Sequence, residues 1–115
     1  MRNTNVLEEK CLILYTSYPE EETAQKMAAS LVKKKWVACV HIYPKVKSVY
    51  TWEENLEISE ESTVFFKTFS SHKKNVETFI IDNHPYSCPS VLSLPISSVN
   101  IDYLSWMREN LSSDN

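Results

Sequence analysis

The sequence predicts an α+β fold that is organised around one long β-hairpin. Between Trp36 and Phe69, two runs rich in Val, Ile, Tyr, Phe, Trp and Thr flank a polar turn centred near Glu54 and Asn55. Further strand-like runs lie before the hairpin, at 11–16, and after it, at 91–96. Each hairpin arm is far longer than a usual strand of about five or six residues. We therefore expect part of the hairpin to pair with another chain.

The first strand and the first helix lie before the hairpin. The run 11–16 is continuously apolar, as in a central strand that is buried on both faces. Pro19 ends this run and opens a helix, whose first turn carries glutamates and whose last turn carries lysines, as the helix dipole favours. Apolar residues at three- and four-residue spacing predict a helix face that packs on the sheet: Ala24, Met27, Ala28, Leu31 and Val32.

The hairpin changes character along its length. At its base, both faces of the strands carry apolar side chains, whereas the start of its return arm is rich in Glu and Ser. We therefore expect a buried base and a solvated tip. Pro44 cannot donate a ladder hydrogen bond and therefore marks a bulge or a sheet edge. The chain contains no glycine. Asparagine tolerates a positive φ best after glycine. Turns that need a positive φ are therefore expected at Asn55, Asn83 and Asn100.

A second helix, a short strand and a last helix complete the predicted elements. Ser70 or Ser71 is the expected N-cap of the second helix, which ends at Asn83. The strand at 91–96 contains a proline, which favours a sheet edge. The last helix is expected over about 101–111, with Ile101 on the face that packs against the sheet.

The predicted order β-α-β-β-α-β, followed by a helix, is that of the split βαβ or ferredoxin-like fold. This layout places both main helices on one face of the sheet. Because the predicted strands are apolar at both parities, the other face also needs a cover, and a second subunit is the simplest one. We expect a single domain over 1–115, in which 1–9 and 112–115 are flexible tails.

Composition argues against several classes of function. The absence of glycine excludes a P-loop, a dinucleotide fingerprint and a kinase-type loop. A net charge of −3 gives no overall attraction to phosphate backbones, so we expect no nucleic-acid partner. No apolar run approaches the length of about 18 residues that a membrane span needs, and we expect a cytoplasmic protein with reduced cysteines. Neither a Ser-His-Asp arrangement nor paired carboxylates are evident, so we do not expect an enzyme.

Four segments resemble the CutA divalent-cation-tolerance family in order and in spacing: Val37-Ala38-Cys39-Val40, Ser48-Val49-Tyr50-Thr51-Trp52-Glu53, Phe66-Lys67-Thr68 and His84-Pro85-Tyr86. Leu94-Pro95-Ile96 and 103–106 extend the resemblance, which covers roughly residues 11 to 108. The resemblance implies a ferredoxin-like subunit that assembles into a tight homotrimer through its long strands. It also implies a role in copper or divalent-cation tolerance. We expect that no cofactor is required and that copper or another divalent cation binds only weakly.

The resemblance also narrows the candidate metal ligands. A cysteine that ligates copper in some members falls at Tyr15 of this sequence, and a second histidine beside His84 is Asn83. His84 and Cys88 remain as candidates, because imidazole suits Cu(II) and thiolate suits Cu(I). The alternative interpretation of His84 is a capping or packing residue at the end of a helix, and the alternative for Cys88 is a reactive loop thiol.

Clefts between subunits are the second candidate site, and the residues expected to line them are Cys39, Tyr50, Trp52, Glu61, Lys67, Tyr86, Tyr103 and Trp106. Lys67 lies in an otherwise apolar strand, and two interpretations stay open. Either its stem snorkels at an edge, or its cation holds a carboxylate such as Glu61 of a neighbour, or a bound anion. The aromatic residues are most simply interface and core residues. The corresponding alternative function is a trimeric signalling module, similar to PII regulators, that binds a small ligand or a partner protein.

Overall fold

A computed structural model describes residues 9–113 and confirms the predicted order of strands and helices. The elements are β1 (Cys11–Tyr18), α1 (Glu21–Lys33), β2 (Cys39–Trp52), β3 (Asn55–Phe69), a 3-10 turn (Ser70–His72), α2 (Lys73–Asp82), β4 (Leu92–Pro95) and α3 (Ile101–Asn110). The fold is thus α+β, with a strand-helix-strand-strand-helix-strand order and a C-terminal helix.

The four strands form one antiparallel sheet in the order β2-β3-β1-β4. β1 pairs with β3 along its whole length, from Cys11 opposite Phe69 to Tyr18 opposite Ser62. β2 and β3 continue beyond this point, so the distal half of the hairpin is a two-stranded ribbon. β4, which contains Pro95, lies at the edge of the sheet, as predicted.

Helices α1 and α2 pack on one face of the sheet, as expected. Alternate residues of β1 from Leu12 to Tyr18 are buried, and Val64 and Phe66 of β3 are fully buried between the sheet and the helices. The helices contribute their own buried apolar residues to this core: Ala24, Met27, Leu31, Val76 and Ile80. Val32 departs from the predicted helix face, because it is 40% exposed.

The opposite face of the four-stranded sheet, here called the open face, is covered at one end by α3. The strand register places on it Cys11, Ile13, Tyr15 and Ser17 of β1, Thr63, Phe65, Lys67 and Phe69 of β3, Cys39, His41 and Tyr43 of β2, and Leu92 and Leu94 of β4. Met107 and Leu111 pack at the Cys11 and Phe69 end. Away from that end the face is half-buried or exposed in the described chain.

A β-bulge at Pro44 and Lys45 divides the hairpin, as the proline predicted. Tyr43 pairs with Thr63, and the next pair is Val46 with Glu61. β2 therefore advances by three residues where β3 advances by two. Because side chains alternate along a strand, Tyr43 and Val46 share a face although their numbers differ in parity.

The prediction that positive φ angles fall on asparagines is wrong. Among the described residues they occur at Lys35 (63°), Lys45 (61°), Glu53 (52°) and Glu54 (71°). Asn83 and Asn100 have φ of −113° and −62°, and Asn55 is the first residue of β3. The hairpin turn thus lies one residue before its predicted position, and positive φ at both central residues is the signature of a type I′ turn. Strand pairing imposes this geometry and outweighs the cost of the left-handed conformation, which is about 1–2 kcal/mol for an L-residue.

Two predictions about helix ends are also corrected. Phe69 precedes the 3-10 turn and His72 precedes α2, and neither Ser70 nor Ser71 is the N-cap of these helices. The Ser71 hydroxyl instead donates to Glu9 Oε2 at 3.0 Å. In α3 the expected packed residue Ile101 is 70% exposed, because Met107 occupies the buried position.

The chain after α3 is fastened to the body of the subunit. The backbone N–H of Ser112 donates to the carbonyl of Lys35, and its own carbonyl lies 2.7 Å from Nε2 of the buried His72. Of the predicted flexible tails, 1–9 and 112–115, residues 1–8 and 114–115 lie outside the described residues. Between residues 9 and 113, no helix is both long enough and apolar enough to cross a membrane.

Candidate functional site

The predicted site residues separate into two clusters. The His84 cluster lies where the hairpin leaves the sheet and comprises His84, Tyr86, Glu61 and Tyr50. The Lys67 cluster lies on the open face, beside α3, and comprises Lys67, Cys39, Tyr103 and Trp106. Trp52, which is 51% exposed near the hairpin tip, and the exposed Cys88 belong to neither cluster.

Both ring nitrogens of His84 have hydrogen-bond partners. The backbone N–H of Tyr86 donates to Nδ1 at 3.2 Å, so we assign the proton to Nε2, which lies 3.0 Å from Thr16 Oγ1. The ring of Tyr18 stacks on the imidazole, with centroids 4.5 Å apart and an interplanar angle of 13°. Burial lowers the pKa of His84, against smaller opposing effects of the Ser17 backbone and the Glu61 charge. The imidazole is therefore a neutral, packed group near pH 7.

Glu61 is engaged by its own chain. One carboxylate oxygen accepts a hydrogen bond from the Tyr86 hydroxyl at 2.5 Å, and the other accepts one from the Ser48 hydroxyl. Burial and the hydrogen bond to Glu61 raise the pKa of Tyr86, so its phenol stays a donor. Because Ser48 belongs to β2 and Tyr86 to the loop after α2, the carboxylate fastens this loop to the hairpin beyond the bulge.

Three members of this network were not singled out from the sequence: Thr16, Tyr18 and Ser48. Thr16 is the last residue of the run 11–16 that predicts the first strand, and Tyr18 lies two residues beyond it. The available signal was a hydroxyl in a strand predicted to be buried on both faces, since such a group needs a hydrogen-bond partner. The Tyr18 hydroxyl is buried and has no hydrogen-bond partner in the described part of the chain.

The described residues of one chain do not fit a tight copper site. Among residues 9–113, no three His, Cys, Asp or Glu side chains come together in a way that could hold a metal ion. A metal at His84 would have to displace one of the two hydrogen bonds of the ring. Tyr15, at the position of the family's cysteine ligand, packs against Phe65 on the open face, at a centroid distance of 5.3 Å. It therefore lies on the opposite side of β1 from Thr16, the partner of His84.

Lys67 places a positive charge on the open face. It lies in β3 between Ile13 of β1 and Cys39 of β2, and it is half-buried. Its Nζ is 3.5 Å from the Tyr103 hydroxyl and 5.2 Å from the centre of that ring. Within the described chain, no carboxylate lies within 4.0 Å of this ammonium. In this part of the chain the charge thus has aromatic and hydroxyl neighbours and no carboxylate within that distance.

Tyr103 links Lys67 to the other members of its cluster. Its ring stacks on Trp106, with centroids 5.4 Å apart and an interplanar angle of 29°. Burial and the neighbouring Cys39 thiol raise the pKa of Tyr103, whereas Lys67 acts in the opposite direction. The net direction is upward, so the phenol keeps its proton and can donate beside the ammonium.

Comparison with known proteins identifies relatives along most of the chain. Residues 12–110 match the sequence profile of the family described as CutA1 divalent ion tolerance protein. The chain is 36% identical over 100 residues to the divalent-cation tolerance protein CutA of Yersinia pestis (strain Pestoides F), covering 87% of this chain and 84% of that protein. The crystal structure of CutA1 from Oryza sativa aligns with a TM-score of 0.87 at 30% identity, over 91% of this chain and 96% of that one. The divalent cation tolerance protein from Thermus thermophilus aligns with a TM-score of 0.82 at 32% identity, over 90% and 99% of the two chains.

Proposed function

We propose, from the premise that this chain belongs to the CutA1 divalent ion tolerance family, that it acts in divalent-cation tolerance as a homotrimer. The observation that carries the trimer is the uncovered apolar surface of the subunit. On the open face, Leu92 and Leu94 are 47% and 41% exposed, beside the half-buried Tyr15 and Phe65. Contiguous exposed apolar surface of this kind marks an interaction site.

The ribbon beyond the bulge adds a second apolar surface. Val49 pairs with Ile58 and Thr51 pairs with Leu56, so these side chains share one side of the ribbon. Val49, Leu56 and Ile58 are 61%, 73% and 65% exposed. An isolated two-stranded hairpin is marginally stable in water, and packing against neighbouring chains would stabilise this one.

The assembly is tested by its mass. Light scattering at micromolar concentration is expected to give about three times the 13.4 kDa of one chain. A stable species of one chain mass at that concentration would remove the structural basis of the proposal.

We expect copper binding to be weak and to be unnecessary for the fold. One imidazole cannot fill the tetragonal shell that Cu(II) prefers, and both nitrogens of His84 are already hydrogen-bonded. Calorimetric titration of metal-free protein with Cu(II) should give a Kd of about 1 μM or weaker. His84→Ala should lose most of this binding and remain a trimer.

Cys88→Ser tests the second candidate ligand, an exposed thiol in the same loop. Because thiolate suits Cu(I) better than Cu(II), this variant should lose less Cu(II) binding than His84→Ala does. Nanomolar binding that persists in His84→Ala would show that the metal site lies elsewhere.

The Lys67 cluster favours a second candidate function, a trimeric signalling module that binds a small ligand in the clefts between subunits. The favouring observation is a half-buried ammonium without a carboxylate partner within the described residues. A melting-temperature screen with metals and nucleotides in parallel would separate the two functions, because a ligand that binds only the folded protein raises its melting temperature.

A further inference from the structure

Among residues 9–113, the Lys67 ammonium on the open face has no carboxylate within 4.0 Å. Of the residues that define this face, it is the only Asp, Glu, Lys or Arg. Glu61, farther along β3, lies beyond the bulge and is already hydrogen-bonded there. When subunits or a ligand cover the open face, the ammonium loses water, and an unpaired buried charge is strongly unfavourable. An anion beside Lys67 would remove that cost.

The donors in the cluster limit the charge of such an anion. β3 is paired on both sides, by β1 and by β2, so its backbone amides are used in the sheet. The Lys67 ammonium and the Tyr103 hydroxyl lie side by side, 3.5 Å apart, and the Trp106 indole N–H and the weak Cys39 thiol are the other side-chain donors of the cluster. Phosphate groups are usually bound by several N–H groups at a helix N-terminus or by arginines. One ammonium beside one hydroxyl instead suits the two oxygens of a single carboxylate.

The surroundings of the donors indicate the rest of the ligand. Ile13 and Phe65 lie beside Lys67 on the open face, and Trp106 stacks on Tyr103. A cleft of about 450 Å³ lies between β1, β4 and α3; Cys11, Ile96 and Leu104 supply apolar wall, and Glu9 and Lys10 supply charged wall. Cys11 is two residues from Ile13, the β1 partner of Lys67, on the same face of the sheet. There is thus apolar surface and space for a hydrophobic group attached to the carboxylate.

We infer that the Lys67 cluster binds a small monocarboxylate with an apolar body, with Lys67 Nζ and the Tyr103 hydroxyl as its donors. This inference rests on the small-ligand function proposed above, because neighbouring subunits would enclose the open face.

Benzoate and its neutral isostere benzamide are suitable probes. We expect benzoate, titrated into the intact protein and followed by calorimetry and by NMR of Lys67 and Tyr103, to bind more tightly than benzamide. Lys67→Met keeps the apolar stem and removes the charge, and it should weaken benzoate binding about tenfold or more. Tyr103→Phe should weaken it about threefold, since a neutral hydrogen bond contributes less. Lys47→Met is the matched control, because Lys47 is an exposed lysine paired with Glu60.

Benzamide binding as tightly as benzoate, or benzoate binding equally to Lys67→Met, would overturn the inference. The inference would also be overturned if the trimer did not bind benzoate and Lys67→Met destabilised it. That result would mean that a carboxylate of a neighbouring subunit occupies the site. If Lys67→Met does not fold, the affinity of Tyr103→Phe for benzoate is the deciding measurement. An affinity equal to that of the unmodified protein refutes the proposed donors. Mass is measured on the same samples, so loss of the trimer, which refutes the proposed function, is distinguished from loss of the ligand alone.

Discussion

Replacing Phe66 with Asp is expected to abolish the folded subunit and, with it, any assembly. Phe66 is fully buried in the core between β1, β3 and the two helices. An unpaired carboxylate there costs several kcal/mol, which is comparable with a total stability of about 5–15 kcal/mol. Circular dichroism with a thermal melt should show loss of the cooperative transition. Val64→Asp, at an equally buried position, should behave in the same way.

The control for this substitution is Phe66→Leu, which removes volume without adding charge. It should keep a cooperative melt at a lower temperature, because a large-to-small change in a core costs about 0.5–5 kcal/mol according to the cavity that it leaves. A cooperative transition in Phe66→Asp near that of the unmodified protein would mean that this side chain does not lie in the core.

Replacing the adjacent residue, Phe65, with Asp is expected to separate the subunits while leaving each subunit folded. Phe65 lies on the open face, half-buried among Tyr15 and Tyr43, with ring centroids 5.3 Å from each. In the isolated subunit a carboxylate at this position can reach water, whereas in the trimer it would be covered. Light scattering should therefore give about the mass of one chain, with the helical signal in circular dichroism retained.

The two aspartate variants form a matched pair, because residues 65 and 66 are neighbours in β3 and face opposite sides of the sheet. Phe66→Asp, whose charge lies on the face covered by the helices, should unfold the subunit. Phe65→Asp, whose charge lies on the open face, should dissociate the trimer. If Phe65→Asp remained a trimer at micromolar concentration, the open face would not be the subunit interface.

The order of elements could be predicted because each helix and strand carries its own local signal. Glutamates before and lysines after the apolar stripe of α1 locate that helix, and the apolar run of β1 locates the central strand. The His84 cluster could be found only in part. His84 and Tyr86 stand out in a turn, but the bonds of Glu61 to Tyr86 and Ser48 depend on the register beyond the bulge. No local pattern encodes that register.

The prediction of where positive φ angles occur was wrong for a related reason. Asparagine tolerates the left-handed region better than glutamate or lysine, yet the structure uses Glu53, Glu54, Lys35 and Lys45. These residues lie where a strand must turn, a bulge must form or a helix must end, and long-range pairing decides those places. A preference of side-chain type is too small to move them.

The bulge at Pro44 and Lys45 also makes this point of the hairpin tolerant of the loss of one residue. Tyr43 and Val46 already lie on the same side, although β2 advances by three residues here where β3 advances by two. Deleting one codon would therefore restore simple alternation and leave the base and the tip on their present faces, with Tyr50 and Trp52 still on the side on which Ser48 meets Glu61. Within the regular parts of the ladder, by contrast, the loss of one residue turns one half of the strand over. The bulge is therefore a place where the length of the chain can vary between descendants while the two faces of the strand are inherited unchanged.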